Sequence, residues 1–317
     1  MSNLKQTTNE VVVAGQLLKN NLTIAKGDSC QCIRGNLVIR TIDGSEVEVG
    51  YYANEFKKDK NSNGYSTERN GLYDSLLTVC NEYKSFEKFK EEADFIKISS
   101  ASFDVNDYKG QDGVLRTGTR LKANFANRLT DAQKETTPLT ATFQVEGIIT
   151  LVDDEMYKDE PTGRVKVNIN MLGYQGAIIP LSLVAPAEYA DHIKANYTEG
   201  NVAKFWGKII NTTETRTETQ QGGFGESFTK TFTTTVKRYE ITGGNPQMTL
   251  DEANVNEDEY IQAKSKRKLK LDNLLKEEKK TKNSEPTQGG FGTSGNPFGA
   301  TGSTGGNPFA GSNPFGA

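Results

Sequence analysis

The amino-acid sequence predicts a mainly β protein with two five-stranded barrels in tandem, followed by a charged helix and a disordered Gly-rich tail. Short runs of alternating apolar and polar residues recur along the chain, separated by turn residues, and a period of two is typical of strands with one buried face. One helical stretch interrupts these runs in each half. From Ser284 onward the chain is rich in Gly, Ser, Thr, Asn and Pro, a composition that cannot bury enough apolar surface to fold.

The second half of the chain carries the clearest strand pattern. Five runs are expected to form strands, at Thr142–Ile149, Arg164–Met171, Ala177–Leu181, Val202–Ile210 and Thr231–Ile241. Pro186–Ala195, between the third and fourth runs, has helical composition and begins with proline, as first helical turns often do. Three strands, a helix and two strands is the element order of the OB-fold, a partly open barrel that binds oligonucleotides or oligosaccharides.

Two loops of an OB-fold help its strands to grip the ligand. We expect the acidic segment Asp153–Gly163 to be the loop between the first two strands. Asn211–Lys230 is expected to be a long hairpin between the last two strands, with its tip at Gly222 and Gly223. Phe224 near that tip is a candidate stacking residue, and packing within the hairpin is an equally good alternative.

The first half repeats this element order, which predicts an internal duplication. Its strands are expected at Asn9–Leu18, Arg34–Ile42, Glu46–Tyr52, Phe95–Phe103 and Gly113–Leu129. The second and third are joined by the turn signal Asp43-Gly44, and apolar residues three or four apart predict a helix over Leu72–Phe89. The predicted domains are a first OB-like domain (1–130), a linker (131–139), a second OB-like domain (140–245), a charged helical segment (246–283) and the tail (284–317).

The strand faces of the second domain point to a nucleic-acid surface, because neighbouring side chains on a strand point to opposite faces. If Val165, Val167, Ile169 and Met171 fill the core, the outward face of that strand holds Arg164, Lys166, Asn168 and Asn170. If Phe205 and Ile209 point inward, the outward face of the fourth strand holds Lys204, Trp206 and Lys208. A tryptophan between two lysines suits a surface on which a base stacks and phosphates lie alongside. The alternative is that Trp206 belongs to the core.

A similar face is expected on the last strand of the first domain. Even positions carry Arg116, Arg120, Lys122, Asn124 and Arg128, and odd positions carry Leu115, Leu121, Phe125 and Leu129. These cations are predicted to contact nucleic acid, together with Lys57, Lys58 and Tyr65 of the polar insertion at 54–71. The alternative interpretation is a solvated edge strand that charge protects against aggregation.

Composition narrows the class of protein. The 317 residues include 38 Lys and Arg against 41 Asp and Glu, for a net charge of -3, which excludes a globally basic nucleic-acid binder and requires local clustering of cations. A single histidine, His192, and the lack of a phosphate loop, nucleophile elbow or metal-ligand cluster predict that the protein is not an enzyme and needs no cofactor or metal. The chain has three cysteines, an odd number without the spacing of a disulfide framework, which predicts a cytoplasmic protein. It has no long apolar run, which predicts that there is no membrane segment.

The C-terminal segments are candidate sites for other proteins. Asn256–Lys282 is predicted to be a charged helix with a thin apolar stripe that could dock on a barrel or on a second subunit of a homo-oligomer. The tail repeats Asn-Pro-Phe, and each copy presents one aromatic side chain as a candidate peptide ligand. The predicted partner-binding residues are Pro297, Phe298, Pro308, Phe309, Pro314 and Phe315.

With these features in place, the chain resembles bacteriophage single-stranded DNA-binding proteins with two OB-like modules. The resemblance spans Asn9–Gly243 and depends most on Arg164–Leu183 and Glu199–Ile210. It implies a protein that coats single-stranded DNA, with RNA as an open alternative ligand, during replication, recombination or repair. It also implies a tail that recruits replication or recombination proteins, although the acidic residues that precede the terminal Pro-Phe in bacterial relatives are missing here.

Two other classes remain open at the level of sequence. One is an interaction adaptor, in which the Asn-Pro-Phe repeats resemble ligands of eukaryotic endocytic modules. The other is a phage structural protein that uses OB-like barrels for assembly. The adaptor class gives no purpose to the outward lysine, arginine and tryptophan side chains.

Overall fold

A computed structural model describes residues 5–27, 30–59, 64–220 and 228–276. The strands are β1 (Asn9–Asn20), β2 (Thr23–Lys26), β3 (Gln31–Arg40), β4 (Glu46–Asn54), β5 (Phe56–Lys58), β6 (Tyr65–Arg69), β7 (Phe95–Lys109), β8 (Leu115–Lys122), β9 (Asn127–Arg128), β10 (Ala141–Tyr157), β11 (Glu160–Leu172), β12 (Ile178–Ala185), β13 (Val202–Gln220) and β14 (Phe228–Gly244). The helices are α1 (Gly71–Glu82), α2 (Phe86–Phe89), α3 (Asp131–Thr136), α4 (Ala190–Asn196) and α5 (Glu257–Lys276). The tail and its Asn-Pro-Phe repeats lie outside the described residues.

The strands close into two barrels with the same topology. In the first barrel the order is β1-β3-β4-β8-β7, closed by pairing of β7 with β1. In the second it is β10-β11-β12-β14-β13, closed by pairing of β13 and of β11 with β10. In each barrel the third and fifth strands pair in parallel and the other pairs are antiparallel. This is the strand order of an OB-fold, so the predicted fold class of two OB-like barrels followed by a charged helix is confirmed.

The two barrels share one sheet. β1 and β10, the first strands of the two barrels, pair antiparallel from Asn9↔Val145 to Val13↔Ala141, and this pairing joins twelve of the described strands into one continuous sheet. Gly15 and Gly147 occupy corresponding places on these strands. A Cβ at Gly147 would lie 2.9 Å from the carbonyl oxygen of Asn170, and one at Gly15 would overlap that of Arg40. Both barrels thus need a glycine where the first strand crosses the second closely.

The core follows the alternation that the sequence predicts. Val165, Val167, Ile169 and Met171 are buried, as are Phe205 and Ile209. The barrels also meet through aromatic rings. Tyr239 of β14 lies edge-on to Phe103 of β7, with ring centroids 4.9 Å apart, and to Phe143 of β10 at 6.4 Å.

The predicted loop at Asp153–Gly163 is wrong. β10 and β11 continue as paired strands to Tyr157↔Glu160, and only Lys158 and Asp159 form the turn. Both residues have positive φ values, 51° and 66°, and a two-residue turn of this kind matches the twist of the strands that it joins. The segment is therefore an extended hairpin of the second barrel.

Two predicted elements of the first half are shorter than expected. The helix over 72–89 ends at Glu82, because Tyr83 and Ser85 are extended, and a separate short helix α2 follows. The strand over 113–129 ends at Lys122, and the alternation fails beyond it. Phe125, expected inside, is 50% exposed, whereas Ala123 and Ala126 are buried.

Two predicted connecting segments contain regular structure. Residues 131–136, within the predicted linker, form α3, whose first turn is stabilised by a capping box between Thr130 and Gln133. The insertion at 54–71 forms a small hairpin from β5 and β6.

Helix α5 packs across both barrels and confirms the predicted charged helix as far as Lys276. Tyr260 is buried, and its hydroxyl oxygen accepts a hydrogen bond from the side-chain amide of Asn170 on β11. Arg267 forms two hydrogen bonds with Asp107 of β7, at 2.9 and 3.1 Å, and the Asp107 side chain is only 1% exposed. The predicted apolar stripe is only partly buried, with Ile261, Leu269 and Leu275 exposed. None of the described helices is long and apolar enough to cross a membrane.

Candidate nucleic-acid interface

The outer face of the second barrel carries an open depression of about 620 Å³. Its floor comes from β11, β12 and β14, and the extended β10–β11 hairpin forms one wall. Lys166 points into it because the residues on either side, Val165 and Val167, fill the barrel core. Thr119, which also lines it, belongs to the first barrel.

A second depression, of about 440 Å³, lies on the corresponding face of the first barrel. β3, β4 and β8 of that barrel line it together with β13 and β14 of the other. Asn211 of β13 reaches across to the first barrel, where its backbone amide donates to the Ser45 hydroxyl and its side chain donates to the carbonyl oxygen of Glu46. Each barrel therefore contributes to the depression on its neighbour.

The two depressions meet. Both are lined by Thr119 of β8 and by Lys237 and Tyr239 of β14. We call the combined depression the groove, and these three residues its waist. In an OB-fold the second and third strands, with the adjoining loops, form the ligand face, so the groove runs over that face of both barrels.

Lys166 and Lys237 are the two lysines of the groove, and no ion pair with a described residue neutralises their charge. Neither forms an ion pair with another described residue, whereas the remaining groove cations do. Arg120 pairs with Asp104 at 2.9 Å, and Arg238 pairs with Glu240 at 2.9 Å.

Several carboxylates lie at the groove and limit its positive potential. Asp153, Asp154 and Glu155 line the first depression and Glu48 the second. Lys194 pairs with Asp154, and Arg164 pairs with Glu155. Burial by itself would raise the pKa of Glu155, but hydrogen bonds from Thr162 and Arg164 outweigh it and hold that pKa below its usual range.

Asp104 neutralises two of the predicted cations at once. Its carboxylate pairs with Arg120 and with Lys122, the latter at 2.7 Å. Burial would raise the pKa of Asp104, but the hydrogen bonds from Lys122 and Arg120 outweigh that effect and lower it. The positive charge predicted for this strand is therefore largely compensated in the folded protein.

The other two predicted cations of this strand lie apart from the groove. Arg116 pairs with Asp112 at the turn between β7 and β8. Arg128, on β9, pairs with Asp94 and lies over the ring of Tyr83, 4.6 Å from its centroid. The structure thus brings neither to the groove.

Trp206 points outward, as predicted, but into a separate depression of about 310 Å³. Its indole rests against the backbone of Gly243, where a Cβ would overlap the ring, and 39% of the residue remains exposed. Lys208 lines the same depression, and so do Glu10 of β1 and Gln144 of β10. This depression shares no lining residue with the groove, although β13 contributes residues to both.

The remaining predicted residues occupy mixed positions. Asn168 lies beside Lys166 on β11, and its side-chain carbonyl is buried without a hydrogen-bond partner among the described residues. Lys204 is half-buried on the same strand face as Trp206. Lys57 pairs with Glu68 within the β5–β6 hairpin, which also carries Lys58 and Tyr65 and lines no part of the groove. Phe224, like the tail residues Pro297, Phe298, Pro308, Phe309, Pro314 and Phe315, lies outside the described residues.

Sequence reasoning missed Lys237 and Tyr239. The signal was present in the last strand, where Lys237, Tyr239 and Ile241 share one face. Ile241 is buried in the barrel, so residues two and four positions before it emerge at the rim and then in the groove.

The topology defines a protein with two OB-folds in tandem and a groove that both barrels line. The chain belongs to the YorF family, whose family model matches residues 7–281. No curated protein matches the sequence.

Several solved structures match the fold of this chain in part. The wild-type single-stranded DNA binding protein from Thermus aquaticus is 11% identical, with a TM-score of 0.46 and coverage of 76% of this chain and 94% of that chain. A deletion mutant of the same protein is 13% identical, with a TM-score of 0.43 and coverage of 77% and 96%. A replication protein A heterotrimer bound to ssDNA is 14% identical, with a TM-score of 0.23, and the match covers 76% of this chain but only 52% of that one. The strand pairing by itself identifies the two OB-folds.

Proposed function

We propose that this protein binds single-stranded DNA, without reading its sequence, along the groove that crosses both barrels. The observation that supports this most is that the two depressions merge at the waist, where Lys237 forms no ion pair with a described residue, and that Lys166 lies further along the same groove. Ammonium groups of this kind bind phosphates by charge and release counterions from the nucleic acid. OB-folds that bind single strands use the same combination of a cationic groove and exposed aromatic rings.

The form of the groove favours a single strand over a duplex. Its floor is a curved sheet to which strands of both barrels contribute. A flexible single strand can follow such a surface and expose its bases for stacking.

Trp206 lies outside the groove, in the separate depression beside Lys208, and we propose that a base of the same strand stacks on it there. Gly243 supports one side of the indole, so the ring is held in place before a base arrives. Stacking on an aromatic ring tolerates every base, which agrees with binding that is independent of sequence.

The biological role that we propose is the coating and protection of single-stranded DNA during phage DNA replication or recombination, in the host cytoplasm. The tail residues with their Asn-Pro-Phe repeats would then recruit partner proteins to the coated strand. This part of the proposal is supported by the sequence resemblance and by the repeats themselves.

A titration tests the proposed function. Labelled oligo(dT), oligo(rU) and a DNA duplex of about 30 nucleotides, the upper range for two OB-folds, are each titrated with the full chain at about 50 and 200 mM salt. We expect oligo(dT) to bind more tightly than the duplex and to lose affinity as salt rises. Equal affinity for the duplex, or no binding of oligo(dT) at the lower salt, would refute the proposal.

A further inference from the structure

The waist of the groove is the one part of it where residues of both barrels line both depressions. Thr119 comes from β8 of the first barrel, and Lys237 and Tyr239 come from β14 of the second. The Thr119 hydroxyl donates to the carbonyl oxygen of Pro180 on β12, at 3.4 Å. A ligand that passes from one depression to the other must cross this point.

The ring of Tyr239 is held firmly at the waist. It packs edge-on against Phe103 of the first barrel and Phe143 of the second, and these two rings also contact each other, with centroids 6.2 Å apart. The position of the ring therefore depends on the contact between the barrels.

The hydroxyl of Tyr239 forms no hydrogen bond with a described residue. It is also not fully buried, unlike the unpaired hydroxyl of Tyr51. Burial of the ring raises the pKa of Tyr239 to about 12, so the phenol stays protonated at neutral pH and can donate a hydrogen bond. A protonated phenol can donate one hydrogen bond and an ammonium group can donate three, and these donors suit an anionic acceptor.

Lys237 supplies that charge. It is exposed and forms no ion pair with a described residue, although the next residue, Arg238, is paired with Glu240. A phosphodiester has unprotonated oxygens and a negative charge, so it can accept from the Tyr239 hydroxyl and attract the Lys237 ammonium at the same time.

We propose that the waist is a phosphodiester subsite, in which Tyr239 donates a hydrogen bond and Lys237 supplies the charge, and through which one strand passes from one barrel to the other. This inference rests on the proposed function and makes it more specific. The two barrels then bind one continuous strand, and neither barrel has a complete site without its neighbour.

Two conservative variants test the subsite. Tyr239→Phe removes the hydroxyl and keeps the ring, and Lys237→Gln removes the charge and keeps most of the side chain. Lys88→Gln is the matched control, because Lys88 is exposed on α2 and lines no part of the groove. Binding of labelled oligo(dT) of about 30 nucleotides is measured at several salt concentrations, and thermal unfolding confirms that each variant is folded.

Each variant has its own expected result. Tyr239→Phe should weaken binding about ten-fold, as expected for loss of a hydrogen bond to a charged acceptor, with an unchanged dependence on salt. Lys237→Gln should reduce the slope of log K against log salt by about 0.7, the value for one phosphate of a single strand. Lys88→Gln should match the wild type in both.

Either of two results overturns the subsite. One is that folded Tyr239→Phe binds as tightly as the wild type, and the other is that Lys237→Gln keeps the full salt slope. In both cases wild-type binding of oligo(dT) would leave the proposed function standing. If the wild type itself fails to bind oligo(dT), the proposed function and this inference fall together.

Discussion

Trp206 is an outward-facing aromatic residue whose ring is supported from beneath by Gly243 and flanked on its own strand by Lys204 and Lys208. Trp206→Ala should weaken binding of a short oligo(dT) by about 1–3 kcal/mol, the usual value of base stacking on an aromatic ring. Anisotropy of the labelled oligonucleotide measures this loss. Since Trp206 is the only tryptophan of the chain, its fluorescence in the wild type should also be quenched on binding.

The matched control for that variant is Tyr189→Ala. Tyr189 is 40% exposed, close to the 39% of Trp206. It lies just before α4, outside the groove and outside the depression that holds Trp206. Equal affinities for folded Trp206→Ala and Tyr189→Ala would remove Trp206 from the interface.

Replacing Asp104 is expected to strengthen DNA binding, whereas replacing Trp206 is expected to weaken it. Asp104→Asn should release Arg120 and Lys122 from their shared carboxylate, and Arg120 lines the groove. We therefore expect tighter binding of oligo(dT) and a salt slope that is steeper by about 0.7 for each released cation that reaches a phosphate. A salt titration of wild type and variant measures both, and weaker binding by the variant would contradict the role given to this strand.

The same residue predicts a pH dependence of stability. The pKa of Asp104 is lowered in the folded protein from 3.8, so its ion pairs stabilise the fold above that pH and are lost as the pH falls through the lowered folded pKa. Thermal unfolding from about pH 6 to about pH 3 should show the wild type losing its advantage over Asp104→Asn at the acid end. An advantage that stays constant over this range would show that Asp104 is not charged and paired as described.

At the scale of elements, α5 bridges the two barrels, since Arg267 pairs with the buried Asp107 of β7 and Tyr260 bonds to Asn170 of β11. Arg267→Gln should leave the Asp107 carboxylate buried with only weaker partners, Thr117 and the more distant Lys270. Loss of one partner of a buried pair costs about 3–5 kcal/mol, and Lys270 should hold the effect near the lower value. Urea unfolding measures the change in the free energy of unfolding. Lys268→Gln, on the exposed side of the same helix, is the control, and an equal midpoint for the two variants would contradict the bridging role of α5.

The elements were predictable wherever a local pattern determines them. The alternation in β11 and β13 identified the inward residues of both strands correctly, because each strand has one buried face. The β10–β11 hairpin was missed because Lys158-Asp159 is not a typical turn pair, although both residues adopt positive φ. The end of β8 at Lys122 was missed because Phe125 is apolar yet exposed, and apolar character alone does not show which face a residue occupies.

At the scale of the whole molecule, the sequence could predict two barrels but not how they meet. The pairing of β1 with β10 joins residues far apart in the chain, and strand faces carry no information about which strand lies next to which. For the same reason the candidate site was only partly predictable. Lys166 was found from its strand face, whereas the pairing of Arg120 and Lys122 with Asp104, and the place of Lys237 and Tyr239 at the waist, depend on tertiary structure.

The central claim is that one single strand of DNA occupies the groove across both barrels. Lysine acetylation of the full chain, with and without saturating oligo(dT), tests it most directly when each site is quantified by mass spectrometry. The account predicts that Lys166 and Lys237 lose reactivity on binding, whereas Lys19 and Lys88, exposed on the first barrel away from the groove, react as before. Unchanged acetylation of Lys166 and Lys237 while the oligonucleotide is bound would contradict it.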